Sequence, residues 1–176
     1  MKRHFLLAGM FLMLIVANTA YAADDNVHFS GALVSEPCTL PETDTDIHLE
    51  FGSIIEKGLY EYQRTKSQPF KIHLENCDPA VLSTVSVTFE GTADSELTEM
   101  LALDASSTAK GVAVGLELVD GTPLAINKPS PFSQISFGSN TLSFNAYIKT
   151  QPSRLTNKTL VAGEFTAVST FVLLYQ

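Results

Sequence analysis

From Phe165 to Tyr175 the chain alternates without interruption. Phe165, Ala167, Ser169, Phe171, Leu173 and Tyr175 fall on one face, and Thr166, Val168, Thr170, Val172 and Leu174 on the other. A period of two marks an extended strand, whose successive side chains point to opposite faces. Near its end this strand is apolar on both faces. It therefore needs neighbours on each side as well as a core beneath, because an exposed apolar edge templates aggregation. Two arrangements meet that need: the chain's own first strand lies alongside, or a strand arrives from another molecule. The alternation alone does not choose between them.

The same period recurs upstream. Ile47, Leu49 and Phe51 alternate with His48 and Glu50, then Phe70, Ile72 and Leu74 with Lys71, His73 and Glu75, then Val85, Val87 and Phe89 with Ser86, Thr88 and Glu90. Val112–Leu118 and Leu142–Lys149 read the same way, and Asp120-Gly121 marks a hairpin. Turn-formers fill the connections at Pro129-Ser130-Pro131, Gly138-Ser139-Asn140, Gln151-Pro152-Ser153 and Gly163. No segment has a long helical period, and Leu97–Leu103 fits a short helix or a strand equally. Short half-polar strands separated by turns predict an all-β chain folded as an immunoglobulin-like antiparallel sandwich.

The N-terminus reads as a secretory signal peptide over residues 1–22. Lys2, Arg3 and His4 precede the apolar run Phe5–Val16, and Ala20-Tyr21-Ala22 supplies the small-residue cleavage pattern. Cleavage after Ala22 removes two basic residues and no acid, leaving nine basic and nineteen acidic residues and a net charge of −10. No basic stripe remains, which argues against nucleic acid as a partner. An exported chain with two cysteines predicts one disulfide, Cys38–Cys77, closing a loop that stabilises by about 3–4 kcal/mol. Metal binding by these thiols is disfavoured, because His28, His48 and His73 are scattered singly and read as surface residues.

Nor do the residues point to catalysis. No G-x-S-x-G elbow, H-E-x-x-H, P-loop or dinucleotide-binding glycine turn is present, so neither an enzyme nor a cofactor is expected. Asp44, Asp46, His48 and Glu50 could in principle face a cation, but they lack the glycine of a calcium loop and read as a solvated acidic face. Asn157-Lys158-Thr159 marks an exposed loop.

The stretch V-H-F-S-G-A-L-V-S-E-P-C, Val27 to Cys38, is the remaining signal. Val27, Phe29, Gly31 and Leu33 share one face, with Gly31 opening a gap where a bulky neighbour can approach. Pro37 withholds an amide just before Cys38. On pattern alone this is either the domain's own first strand or a strand made to be given away.

Taken with I-H-L-E-F-G (Ile47–Gly52), F-K-I-H-L-E-N-C (Phe70–Cys77), V-S-V-T-F-E-G (Val85–Gly91), G-V-A-V-G-L-E-L-V-D (Gly111–Asp120) and the closing strand with Tyr175 penultimate, the whole mature chain resembles a pilin subunit of chaperone–usher fimbriae, of the type 1 and P-pilus group. The resemblance implies an incomplete immunoglobulin-like sandwich, the pilin fold, completed by a donated strand. It implies a signal peptide (1–22), a donor extension (23–37) carrying Val27, Phe29, Gly31 and Leu33, and a pilin domain (38–176). Phe165, Phe171, Leu173 and Tyr175 would line the acceptor groove and form the strand that a chaperone holds. The implied partners are neighbouring fimbrial subunits, a periplasmic chaperone and an outer-membrane usher, with export through the periplasm to a cell-surface fimbrium that supports adhesion. Only Ala23–Asn26 precede Val27, which suggests a minor or adaptor subunit. The alternative is a self-complete secreted β-sandwich that binds sugar or protein, with Tyr60, Tyr62 and Tyr147 as its aromatic platform.

Overall fold

The computed structural model describes residues 29–31 and 35–176. The expected signal peptide, Val27 and Leu33 lie outside the described residues. The chain divides into two units, Met1–Leu33 and Val34–Gln176, and the core belongs to the second. Among the described residues seven strands make two antiparallel sheets: β1 (Gln68–Cys77), β2 (Thr84–Glu90), β3 (Val112–Leu118), β4 (Pro123–Leu124), β5 (Ser133–Gln134), β6 (Gly138–Thr150) and β7 (Thr170–Tyr175). Their orders are β1-β6-β3-β4 and β5-β2-β7.

The inner faces follow the alternation. Phe70, Ile72 and Leu74 of β1 point inward while Lys71, His73 and Glu75 point out, and Val85, Val87 and Phe89 of β2 close the core from the other sheet. Phe70 and Phe144 sit opposite each other in the β1–β6 register, and Phe89 reaches across from β2 to meet both. The three ring centroids lie 5.1 to 5.8 Å apart, mostly edge to face, the arrangement the ring quadrupoles favour. Because this trio joins the two layers, Phe144→Ala is expected to cost about 3–5 kcal/mol, read as a lowered denaturation midpoint at unchanged m-value.

The sheet containing β3 departs from simple alternation. β3 is buried on both faces, and its Glu117 is 3% exposed although its position in the alternation reads as polar and outward. Arg64 explains the difference. Its guanidinium reaches both Glu117 carboxylate oxygens at 3.1 to 3.2 Å, bonds Ser67 Oγ at 2.9 Å, and lies 3.5 Å above the centre of the Tyr147 ring. Gly115 faces Tyr147 in the β3–β6 register, and a Cβ there would collide with the ring. The outer face of this sheet is thus covered by a charged strap that satisfies its own polar groups.

Two short helices interrupt the strands. α1 (Glu56–Tyr62) buries Leu59 and stops where Gln63 turns left-handed, its N–H bonding the Leu59 carbonyl at 2.9 Å. α2 (Pro152–Asn157) begins at the Gln151-Pro152-Ser153 run that reads as a turn, because proline is compatible with the first helical position. Leu97–Leu103 is neither helix nor strand. It turns, and Leu101 makes single bridges to Ala93 and Val114. The Asp120-Gly121 hairpin joins β3 to β4, with Gly121 at φ 86°, where glycine carries no steric cost.

Candidate functional site

β7 is the edge strand of its sheet and pairs only with β2 among the described residues. Gln176 and Thr84 exchange both backbone bonds, at 3.0 and 2.8 Å. In an antiparallel ladder such exchanging pairs alternate, so the register gives Thr170, Val172 and Leu174 to β2. The amides and carbonyls of Phe171, Leu173 and Tyr175 therefore face the open edge. Their side chains, half-buried, rest on the core together with Phe165 and Ala167.

The facing wall is the segment 46–54. The expected strand at Ile47–Phe51 is extended and alternating, and Ile47, Leu49, Phe51 and Ile54 pack against the core, yet it belongs to neither sheet. Among the described residues, none of its backbone groups forms a backbone hydrogen bond. Phe51 meets Phe165, just before β7, with ring centroids 6.3 Å apart, and Glu36, upstream of the wall, lies near Tyr175. Burial raises the Tyr175 hydroxyl above its ordinary value, and the Glu36 carboxylate adds to the rise.

A small apolar cavity of about 90 Å³ opens at the Phe165 end, lined by Ile54, Leu59, Val112, Ile148, Leu160 and Phe165 among others. Tyr60 shapes its rim by accepting the Leu160 N–H at 3.0 Å. The site is therefore a groove with an apolar floor and two rows of backbone groups left unpaired among the described residues, the shape and chemistry that an added β-strand fills.

Other expected residues fall elsewhere. Cys38 and Cys77 are bonded to each other and fasten the segment leading into the groove wall to the end of β1. Phe29 is 95% exposed, and nothing lies within 4 Å of where a Gly31 side chain would begin. The three tyrosines of the binding-platform reading have separate roles: Tyr147 is buried beneath Arg64, Tyr60 caps Leu160, and Tyr62 stands exposed. Asp44 does not belong to a solvated acidic face. It is buried against His73, which is itself half-exposed and engaged rather than free. No cluster of potential metal ligands occurs among the described residues.

Residues 27–176 match the family described as fimbrial protein. The chain belongs to the fimbrial protein family. It is 36% identical over 168 residues to the major MR/P fimbria protein of Proteus mirabilis, covering 92% of this chain and 91% of that protein. With the fimbrial-like protein YfcP of Escherichia coli it shares 34% identity over 174 residues, 98% of this chain and 94% of the relative. The crystal structure of the P pilus rod subunit PapA superposes with a TM-score of 0.68 at 22% identity, over 80% of this chain and all of that one, and so places the sandwich in the immunoglobulin-like pilin fold. The fimbrial protein is a structural subunit of a surface fimbria and associates with other fimbrial subunits.

Proposed function

We propose that this fimbrial subunit polymerises by donor-strand exchange, accepting in the groove between residues 46–54 and β7 the extension of the next subunit. The observation that carries the reading is the double row of backbone groups, unpaired among the described residues, over an apolar floor. An incoming strand would bond Phe171, Leu173 and Tyr175 at roughly 1 kcal/mol net per hydrogen bond. Burial of Val27, Phe29 and Leu33 adds about 1.5–3 kcal/mol each. Donated strand and groove are different surfaces of one subunit, so the contact is head-to-tail and generates a filament rather than a closed ring.

Residues 23–37 serve in this reading as the donor extension, freed when signal peptidase removes 1–22, and 38–176 as the acceptor domain. Phe165, Phe171, Leu173 and Tyr175 line the groove, and in the periplasm a chaperone strand occupies it until an outer-membrane usher exchanges that strand for the next subunit. The fibre supports adhesion and the subunit performs no catalysis. Four residues before Val27 make a brief extension, which supports a minor or adaptor position that subunit stoichiometry in purified fibres would test.

A synthetic peptide of residues 23–36 tests the groove. At a concentration 100-fold above its Kd, a ligand of the folded state alone adds about 2.7 kcal/mol, or roughly 5–10 °C in Tm for a domain of this size. A mature chain already stable, monomeric and indifferent to the peptide would instead be a self-complete sandwich.

A further inference from the structure

Pro41 ends a strand ladder. Thr39 and Glu75 exchange both backbone bonds, at 2.7 and 2.8 Å, so Pro41 and His73 are next in line to do so. Proline has no N–H to give, and the Pro41 carbonyl is turned away to accept the Asp44 N–H at 3.0 Å, closing a 3-10 turn at Glu42–Asp44. The His73 amide is left without a strand partner. The Asp44 carboxylate takes it: Oδ2 accepts the His73 backbone N–H and, at 2.8 Å, the ring Nδ1–H, while Thr43 Oγ1 donates to Oδ1 at 3.1 Å. Asp44 is 7% exposed, in a run whose other acids face water.

We propose that Asp44 is a positioning residue for strand acceptance, a pin that fixes where the wall 46–54 leaves β1 and crosses to face β7. The inference rests on the groove reading above. Downstream of the wall, past α1, the chain is tied independently, by the Thr65 N–H to the Ile148 carbonyl at 2.9 Å and by Arg64 to Glu117. Among the described residues the wall 46–54 forms no backbone hydrogen bond of its own, so its path rests on these ties and on the packing of Ile47, Leu49, Phe51 and Ile54 against the core. From β1 the titratable group facing Asp44 is His73, and on the wall Asp46 and His48 pair with each other at 3.2 Å at the surface.

The pin is acid-sensitive. Burial alone would push the Asp44 carboxyl up, but the hydrogen bonds from His73 and Thr43 outweigh it and hold the group below its ordinary value. A folded-state value below the unfolded one stabilises above the unfolded value, and that stabilisation is lost as pH falls through the folded one. The wall is therefore held at neutral pH and released below about pH 4.

The test titrates a labelled, C-terminally amidated peptide of residues 27–35, which carries no carboxylate, into the mature chain and three variants. Asp44→Ala and His73→Ala weaken binding at pH 7, the former about tenfold, equivalent to roughly 1.4 kcal/mol. Asp44→Asn keeps an acceptor for the His73 amide, holds affinity within about threefold at pH 7, and flattens the fall that the parent shows as pH drops below about 4. If Asp44→Ala fails to fold, the Asp44→Asn profile decides alone. Equal affinity of Asp44→Ala and parent, or an unchanged acid profile in Asp44→Asn, overturns the pin and leaves the groove standing. Failure of the parent itself to bind the peptide removes the groove reading and the pin with it.

Discussion

Leu173→Asp is expected to abolish uptake of a donated strand, whereas Leu174→Asp, one residue along, leaves it within a few-fold. Leu173 points to the groove floor and its backbone faces the open edge, while Leu174 is 51% exposed on the outer face with its backbone bonded to β2. In the empty chain an aspartate at 173 stays partly in water, so the fold survives with modest loss. A strand laid over it would seal the carboxylate among Phe171, Tyr175 and the incoming apolar side chains. Burying an uncompensated charge costs several kcal/mol, and 4 kcal/mol already corresponds to about a thousandfold in affinity. Calorimetric titration with the peptide of residues 23–36 measures the loss, thermal melting of both variants checks the fold, and electron microscopy reads filament formation. Binding by Leu173→Asp at parental affinity would show that the strand does not lie in this groove.

How much of this was readable from residues alone depends on what a period of two encodes. It tells which side chains face the core, so the core-facing set Phe165, Ala167, Phe171, Leu173 and Tyr175 stands in the sequence as it stands in the fold. It does not tell which backbone lies alongside. Ile47–Phe51 alternates as regularly as Phe70–Leu74, yet the second is a paired strand and the first an unpaired wall. Pro41 was the visible signal of that difference, since a residue with no amide cannot continue a ladder. The partners of buried charge were hidden for another reason. Asp44 sits in a run whose other acids face water and Glu117 at a position that reads as polar and outward, and their burial follows from His73, 29 residues later, and Arg64, 53 residues earlier. Such long-range pairs leave no local period to read.

Cys38→Ser with Cys77→Ser is expected to cost about 4 kcal/mol of stability and, in addition, to weaken strand uptake. The bond closes a loop over a sequence separation of 39, and the loop-entropy account gives its stabilisation from that length alone. For a domain of this size the loss lowers Tm by about 10 °C. The effect on uptake follows from position. Cys38 holds the segment leading into the wall to the end of β1, and beyond it, among the described residues, the anchors before the unpaired stretch are the Thr39–Glu75 pair and the Asp44–His73 contact. Without the disulfide those hydrogen bonds must fix the wall unaided, and the peptide then pays an ordering cost that the parent chain has already met. Measuring Tm and peptide affinity in the same variant separates the two consequences. A lower Tm with parental affinity would mean that the wall keeps its path through Asp44 and Arg64 alone, while loss of both would place the disulfide among the elements that hold the groove open.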